Sequence, residues 1–390
     1  MADAADRLPA PYPRGRLWEL LLVFGRLGFT AFGGPAAHIS MMHDEVVTRR
    51  RWLDDRAFLD LVAATNLIPG PNSTELAIHL GRLRAGWKGL LVAGAAFIAP
   101  AVAIVLVLAW AYVEYGTTPT AEALLYGISP VVIAIVAQAL WKLAPTAAED
   151  LLTRIVALGA FVLYLVGVHE LVLLLVAGLV VLAVRNAGRL RSGAGSVVAV
   201  GLLPGLVPQA ANATADATLL RLFLTFLKIG SVLYGSGYVL LAFLRTDLVE
   251  RLGWLTEQQL LDAVAIGQFT PGPLFTTATF VGYVVLGVPG AIVATLGIFL
   301  PSFAFVAATA PILPRLRRSP WFGAALDGVV AASFALMAGV LVDLTRAAVV
   351  DVPAGAIAVV ALVALVRFRV NSAWLVLAGG LAGLAIDAVR

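Results

Sequence analysis

Long apolar stretches separated by short polar ones set the pattern of this chain. Apolar runs occupy residues 89–112, 124–140, 155–184, 291–311 and 354–366. The longer runs match the roughly 20 helical residues needed to cross a hydrocarbon core of about 30 Å. One such run could be a buried helix of a soluble protein. A series of them predicts an all-α polytopic membrane protein, because in lipid only helices and closed barrels satisfy their own backbone. The expected architecture has about 10 to 13 membrane segments, some of them interrupted. Residues 1–16 carry three Arg and three Pro with no apolar stretch, and read as a polar cytoplasmic tail rather than a signal peptide.

The pattern repeats. Sliding the chain by 202 positions lays Phe24, Gly28 and Gly33 on Phe226, Gly230 and Gly235. The same shift lays Trp52–Leu53 on Trp254–Leu255 and Asp60 on Asp262. Pro69–Gly70–Pro71 falls on Pro271–Gly272–Pro273, with Thr74 on Thr276. A duplicated P-G-P tripeptide preceded at equal distances by Trp-Leu and Asp marks an internal duplication. The expected divisions are a tail (1–16), a first repeat (17–190), a linker (191–218) and a second repeat (219–390).

Loop charge gives their relative orientation. Arg82, Arg84 and Lys88 follow the first P-G-P segment, whereas residues 284–290 carry no base. Residues 115–121 carry none, against Arg315, Arg317 and Arg318 in the second copy. Residues 167–170 carry none, against Arg367 and Arg369. Basic loops face the cytoplasm, so this out-of-phase alternation predicts inverted-topology repeats, a plan shared by many secondary transporters. Inversion requires one extra crossing, which the apolar residues 196–207 could supply. Arg49, Arg50, Arg51 and Arg56 fit only if the early segments turn back instead of crossing.

Composition narrows the function class. Hydrophobic residues make up 61% and charged residues 13%, half the charge of a typical soluble domain; the mean hydropathy is +0.96. With no Cys, disulfides and thiol chemistry are excluded. His38, His43, His79 and His169 lack metal-ligand spacing, so neither a metal nor another cofactor is expected. The net charge of +4 comes from loops that orient the protein, and no nucleic-acid partner is implied. No Walker sequence is present, which argues against an ATP-driven pump working alone.

Two segments in each half are broken by Gly and Pro. One runs from Gly28 through Gly33, Gly34 and Pro35, and its copy from Gly230 to Gly235 and Gly237. The other runs from Asn66 through Pro69, Gly70, Pro71, Asn72, Ser73, Thr74 and Glu75, and its copy from Gln268 through Pro271, Gly272, Pro273, Thr276 and Thr277. Pro ends one helix and can open the next. The opened end presents unpaired N–H groups and a positive dipole, which suit an anion. The plain alternative is a kinked helix. Two duplicated breaks favour a substrate site made of Gly33, Gly34, Pro35, Pro69, Gly70, Pro71, Asn72, Ser73 and Thr74 with Gly235, Pro271, Gly272, Pro273, Thr276 and Thr277.

Arg26 and Lys228 share a repeat position and are expected to supply positive charge, or else to snorkel to the interface. Glu75 is expected to stabilise a helix start or to carry a coupling proton. His38 and His43 are expected at an interface, and Asp60 and Asp262 at helix ends. A Glu75–His79 pair at i,i+4 is sterically allowed.

The run L-G-x3-F-G-G-P at residues 27–35 with His38 after it, the Trp52–Leu53 pair and the two P-G-P motifs resemble the chromate ion transporter family, in its long two-domain form, over nearly the whole chain. The resemblance implies a multi-pass carrier of the cytoplasmic (inner) membrane that exports chromate, gives chromate resistance and draws on the membrane potential or a proton gradient. Sulfate or another tetrahedral oxyanion stays open as substrate, and a passive anion channel is the alternative of a different class. The second half reads Gly235–Ser236–Gly237 where a closer copy would read G-G-P, so the halves are not equivalent. Close glycines such as Gly379, Gly380 and Gly383 permit a homodimer or contacts within one chain.

Overall fold

The apolar runs fold as helices in the computed structural model, which describes residues 15–32, 34–187, 217–234, 237–309 and 319–389. The linker expected to add a crossing and the Arg315, Arg317 and Arg318 loop lie outside the described residues. In the first half α1 (Gly15–Thr30) is followed by α2 (Gly34–His43), which continues as a π-helical turn (Asp44–Arg49). Then come α3 (Asp55–Thr65), α4 (Asn72–Tyr115), α5 (Pro119–Ala147), α6 (Leu151–Leu165) and α7 (Glu170–Arg185). The second half repeats the order: α8 (Leu219–Val232), a short 3-10 turn and α9 (Leu240–Leu244), a π-helical turn (Arg245–Arg251), and α10 (Glu257–Phe269). The series closes with α11 (Thr277–Thr309), α12 (Pro320–Ala348), α13 (Val352–Arg367) and α14 (Ser372–Asp387). No strand occurs among the described residues.

Helix ends follow local chemistry. Thr118, Asp150, Thr218, Thr256, Ser319, Asp351 and Asn371 each cap a helix by accepting a backbone N–H. Pro119 and Pro320 open α5 and α12 at their first positions, where the missing donor costs nothing.

The longest helix is folded back on itself. Ala85 and Gly86 leave helical geometry inside α4, as Leu286 and Gly287 do inside α11. A Cβ added at Gly81 would strike Gly89, and one at Gly282 would strike Gly290. Residues eight apart in a straight helix stand about 12 Å from each other, so this contact requires a sharp reversal. Each helix thus has a short arm after P-G-P and a long arm after the reversal. The short arm of α4, residues 72–84, is about 20 Å long, too short to cross; the long arm, residues 87–115, is about 43 Å.

Three charges show where the early segments go. Glu19, near the start of α1, accepts from Arg50 at 2.8 Å and from Arg84 at 3.0 Å, and the Trp52 ring lies under both cations. Arg50 follows the π turn and Arg84 ends the short arm of α4. Both the α1–α2 pair and the α3–α4 short-arm pair therefore enter and return to one face. They are re-entrant hairpins, with the Gly/Pro breaks at their tips. This accounts for the basic residues 49–51, which a crossing segment could not place.

The halves run in opposite directions. Arg185, ending α7, bridges Asp150 at the start of α6 and Asp327 in the second turn of α12. In the matching place, Tyr126 in the second turn of α5 donates to Asp351 before α13 at 2.6 Å. Asp150 follows the C-terminal end of α5, whereas its counterpart Asp351 lies by the N-terminal end of α5. Equivalent points thus sit on opposite faces, as expected for inverted repeats. Arg82 agrees, donating to the carbonyls of Val306 and Ala307 at the far end of α11.

Among the described residues, four helices are long and apolar enough to cross a membrane: Asn72–Tyr115, Pro119–Ala147, Leu274–Thr309 and Pro320–Ala348. The shorter α6, α13 and α14 pack against the long helices of the opposite half. Gly379 and Gly383 are used inside the chain, where α14 lies so close to α5 that an added Cβ would strike Gly127. Large apolar side chains such as Leu91, Val107, Ile155, Leu158 and Leu296 are exposed, as lipid-facing positions are. Trp18 and Trp87 sit exposed at helix ends, in the manner of interfacial anchors.

Candidate functional site

The four breaks meet in crossed pairs. The Gly70 N–H donates to the Leu233 carbonyl at 2.9 Å, and the Gly272 N–H donates to the Ala31 carbonyl at 2.9 Å. Gly70 and Gly272 are repeat equivalents, as are Ala31 and Leu233. Each P-G-P tip thus seats on the first break of the other half, on a pseudo-two-fold axis. Both glycines have positive φ, 136° and 94°, which a side chain resists. An added Cβ at Gly70 would meet Ser302 Oγ at 2.6 Å, and one at Gly272 would meet Ala101 Cβ at 2.7 Å.

Beside the Gly272 junction lies a small cleft lined by Gly34, Pro35, His38, Tyr238, Gln268 and Thr270, together with Ala31, Gly267, Gly272 and Leu274. Its cavity volume is about 20 Å³, room for about one water molecule, so a larger ion requires the cleft to widen. Gly34 and Pro35 begin α2, and Leu274 begins the turn leading into α11. Two helix N-termini therefore border the cleft with N–H groups that lack intrahelical partners, the arrangement that attracts anions. Among the described residues, no Lys or Arg lines it.

His38 ties the breaks together. It is 1% exposed; its Nε2 bonds the Ala31 carbonyl at 3.0 Å and its Nδ1 pairs with Ser73 Oγ at 3.2 Å. A neutral ring fits, with Nε2–H donating and Nδ1 accepting from Ser73. The Ala31 carbonyl thus serves both His38 and the second P-G-P tip, while Ser73 belongs to the helix after the first tip. The interfacial role expected for His38 is replaced by burial at the centre. Tyr238 donates to Gln268 Oε1 at 3.3 Å across the cleft wall.

The other expected residues divide. Gly34, Pro35 and Gly272 line the cleft, and Pro271 and Pro273 hold the Gly272 tip. Pro69, Gly70 and Pro71 hold the opposite tip, where Asn72 donates to Asn66 Oδ1 at 2.6 Å and Tyr234 donates to the Asn66 carbonyl at 3.2 Å. Thr276 and Thr277 turn their hydroxyls back to the carbonyls of Pro273 and Leu274, at 2.9 and 2.8 Å, so their side chains are engaged locally. Gly33 and Gly235 lie outside the described residues.

The two cations do not reach the cleft. Arg26 is 61% exposed and pairs with Glu45 at 3.5 Å; Lys228 is 14% exposed and pairs with Asp247. Glu45 and Asp247 are themselves repeat equivalents, so the duplicated feature is an ion pair that pins the first helix of each half to its π turn. The sequence repeated the cation, but the acid 19 residues later was the missing half of the reading.

Asp262 is not a helix-end cap but accepts from Tyr112 of the first half at 2.7 Å and from Gln258 at 2.9 Å. Glu75 and His79 do not pair, since both Glu75 oxygens and His79 Nε2 lack a hydrogen-bond partner. His38, Tyr238, Gln268 and Thr270 were absent from the sequence-based site. The amide three residues before each P-G-P, Asn66 and Gln268, was a usable signal.

The decisive comparison is with a family description. The family model named Chromate transporter matches residues 18–182 and again 220–384. The chain belongs to the chromate transporter family. It is 34% identical over 371 residues to the chromate transport protein of Cupriavidus metallidurans, covering 94% of this chain and 92% of that one. It is 32% identical to the chromate transport protein of Pseudomonas aeruginosa, covering 97% and 94%. It is also 32% identical to the probable chromate transport protein of Synechococcus elongatus, covering 92% of each. No solved structure matches the chain. As a family member it is a multi-pass membrane transporter, not an enzyme. The two family matches fall on the two inverted halves, so each match contributes one P-G-P tip and one first break to the crossed junctions.

Proposed function

We propose that this protein is a secondary transporter that exports chromate across the cytoplasmic membrane and so confers chromate resistance, with the anion bound at the junction of the breaks. The observation carrying this is the crossed pair of hydrogen bonds, Gly70 to Leu233 and Gly272 to Ala31, with the His38 cleft beside one of them. Helix N-termini and the polar groups of His38, Gln268, Tyr238 and Thr270 take the place of the hydration shell. Arg26 and Lys228 hold the hairpins that carry the breaks. Two tips seated reciprocally on opposed hairpins provide the rocking element that alternating access requires. Sulfate, another tetrahedral dianion, is the competing substrate.

The test is counterflow in proteoliposomes. Labelled chromate should accumulate against unlabelled chromate, and excess sulfate should compete to a degree that ranks the two ions. Flux that does not saturate and shows no counterflow would indicate a passive pore. In cells, expression should lower chromate accumulation, and loss of that effect in His38→Ala or Gly272→Ala would place the cleft on the path.

A further inference from the structure

We propose that Glu75, with Ser302, forms a binding site for one monovalent cation, a proton or Na⁺, present in the first half alone. The proposal rests on the transport reading above and adds the place where a coupling ion acts.

Glu75 lies in the first turn of the α4 short arm and is 0% exposed. Among the described residues, neither of its carboxylate oxygens has a hydrogen-bond partner, and the hydroxyl of Ser302, also fully buried, has none either. Ser302 comes from α11 of the second half. It meets Glu75 over Gly70: a Cβ added there would strike both the Glu75 carboxylate and the Ser302 hydroxyl. Both halves thus contribute oxygens to one small cluster.

An ionised carboxylate left alone in such surroundings is too costly to persist. A single bound positive charge removes that cost, and one carboxylate balances one monovalent ion. The donor set is all oxygen, the chemistry that shares a proton or holds Na⁺ at helix breaks of transporters. The other groups that face this cluster do not supply the charge. Arg82 is engaged with the carbonyls of Val306 and Ala307 and lies over the Trp87 ring. Tyr234, from the second half, bonds the Asn66 carbonyl. His79, one turn along α4, makes no bond through Nε2.

The repeat supplies an internal control. Thr277 replaces Glu75 and bonds its own backbone. Ala101 replaces Ser302, standing against Gly272 as Ser302 stands against Gly70. Among the described residues, the second half therefore has no comparable oxygen cluster. Gly70 also donates to Leu233 in the other half's break, so a charge change at Glu75 acts directly on a crossed junction. The anion cleft and the cation cluster would then occupy opposite sides of the same pseudo-two-fold axis.

Two readouts test this on the full chain. The first needs no oxyanion: infrared difference spectra of wild type and Glu75→Gln should show a buried carboxylic acid band lost in the variant, the proton arm. Otherwise, ²²Na⁺ should bind once per chain to wild type and not to the variant, the sodium arm. The second readout compares oxyanion accumulation driven by an imposed cation gradient with counterflow. Glu75→Gln should lose the former at least tenfold more than the latter, and Ser302→Ala should show the same bias more weakly. Wild type with neither the band nor Na⁺ binding overturns the site, as does Glu75→Gln with wild-type gradient-driven accumulation. Wild type with no oxyanion flux at all refutes the transport reading, while the first readout still judges the cation site.

Discussion

Gly272→Ala is the sharpest probe of the crossed junction. An alanine at φ 94° meets backbone strain of about 1–2 kcal/mol. Its Cβ would stand 2.7 Å from Ala101 Cβ, an overlap of the kind that costs about 1–3 kcal/mol. Shifting the tip to relieve it breaks the 2.9 Å bond to Ala31, a loss of about 1 kcal/mol. The overlap and the lost bond are alternatives, so with the backbone strain they amount to roughly 2–5 kcal/mol at the tip, where 1.4 kcal/mol is a factor of ten. Flux should therefore fall well over tenfold, while thermal stability, spread over the whole helical assembly, changes much less.

The second substitution separates the terms. Ala101→Gly removes the overlap but leaves the backbone strain, and itself costs about 1 kcal/mol in a helix. The double variant should regain about 1 kcal/mol of tip geometry, near fivefold in flux, though Ala101→Gly alone is mildly harmful; such a cycle isolates the contact. Gly159→Ala, at a position where an added Cβ meets nothing, is the neutral control. The assay is initial-rate counterflow in proteoliposomes of matched protein content. Wild-type flux in Gly272→Ala, or a double variant worse than Gly272→Ala alone, would refute the reasoning.

The ion pairs give a contrast in melting temperature of purified protein. Lys228→Met leaves the buried Asp247 with only Arg251, 3.1 Å away, and should destabilise by about 2–4 kcal/mol, with Asp247→Asn restoring much of it. Arg26→Ala removes an exposed cation whose partner Glu45 keeps Arg50 at 2.8 Å, and should cost under about 1 kcal/mol and spare transport. Asp150, at the interface, is held down at about 2 by the Thr153 backbone N–H, then by Arg185 and the Thr153 hydroxyl. A depressed carboxylate stabilises above its unfolded value near 4 and loses that contribution as pH falls through 2. Asp150→Asn should flatten the melting profile in that window and lower the melting temperature at neutral pH, the two proteins converging as pH falls through 2. Because the chain has no Cys, single cysteines can be introduced directly: at Arg84 and at the exposed Glu250, an impermeant thiol reagent should label them from opposite faces. Labelling of both from one face would end the inverted arrangement.

Much of the architecture was legible along the chain. Apolar periodicity and length are local properties, so helices and their caps could be read from short windows. The duplication showed in a fixed offset, and inversion showed in loop bases, since charge cannot cross lipid without cost. The breaks were legible too, because Pro and Gly act on their own backbone. Arg50 even signalled that the early segments turn back, which its bond to Glu19 now explains.

Pairing was not legible. Gly70 and Leu233, or Gly272 and Ala31, are far apart in sequence, and no local propensity records which tip meets which break. The same limit misassigned Arg26 and Lys228: a cation's role depends on whether an acid stands beside it, and Glu45 and Asp247 arrive there only when the hairpins close. It hid His38, whose apolar neighbourhood gave no sign that both ring nitrogens would find partners. Glu75 shows the reverse case, a charge whose lack of a partner only a packed interior reveals. The sequence alone determined the helices, their breaks and the sense of each half. The tertiary structure decided which polar groups meet, because burial and hydrogen bonding depend on distances between halves that the linear order leaves open.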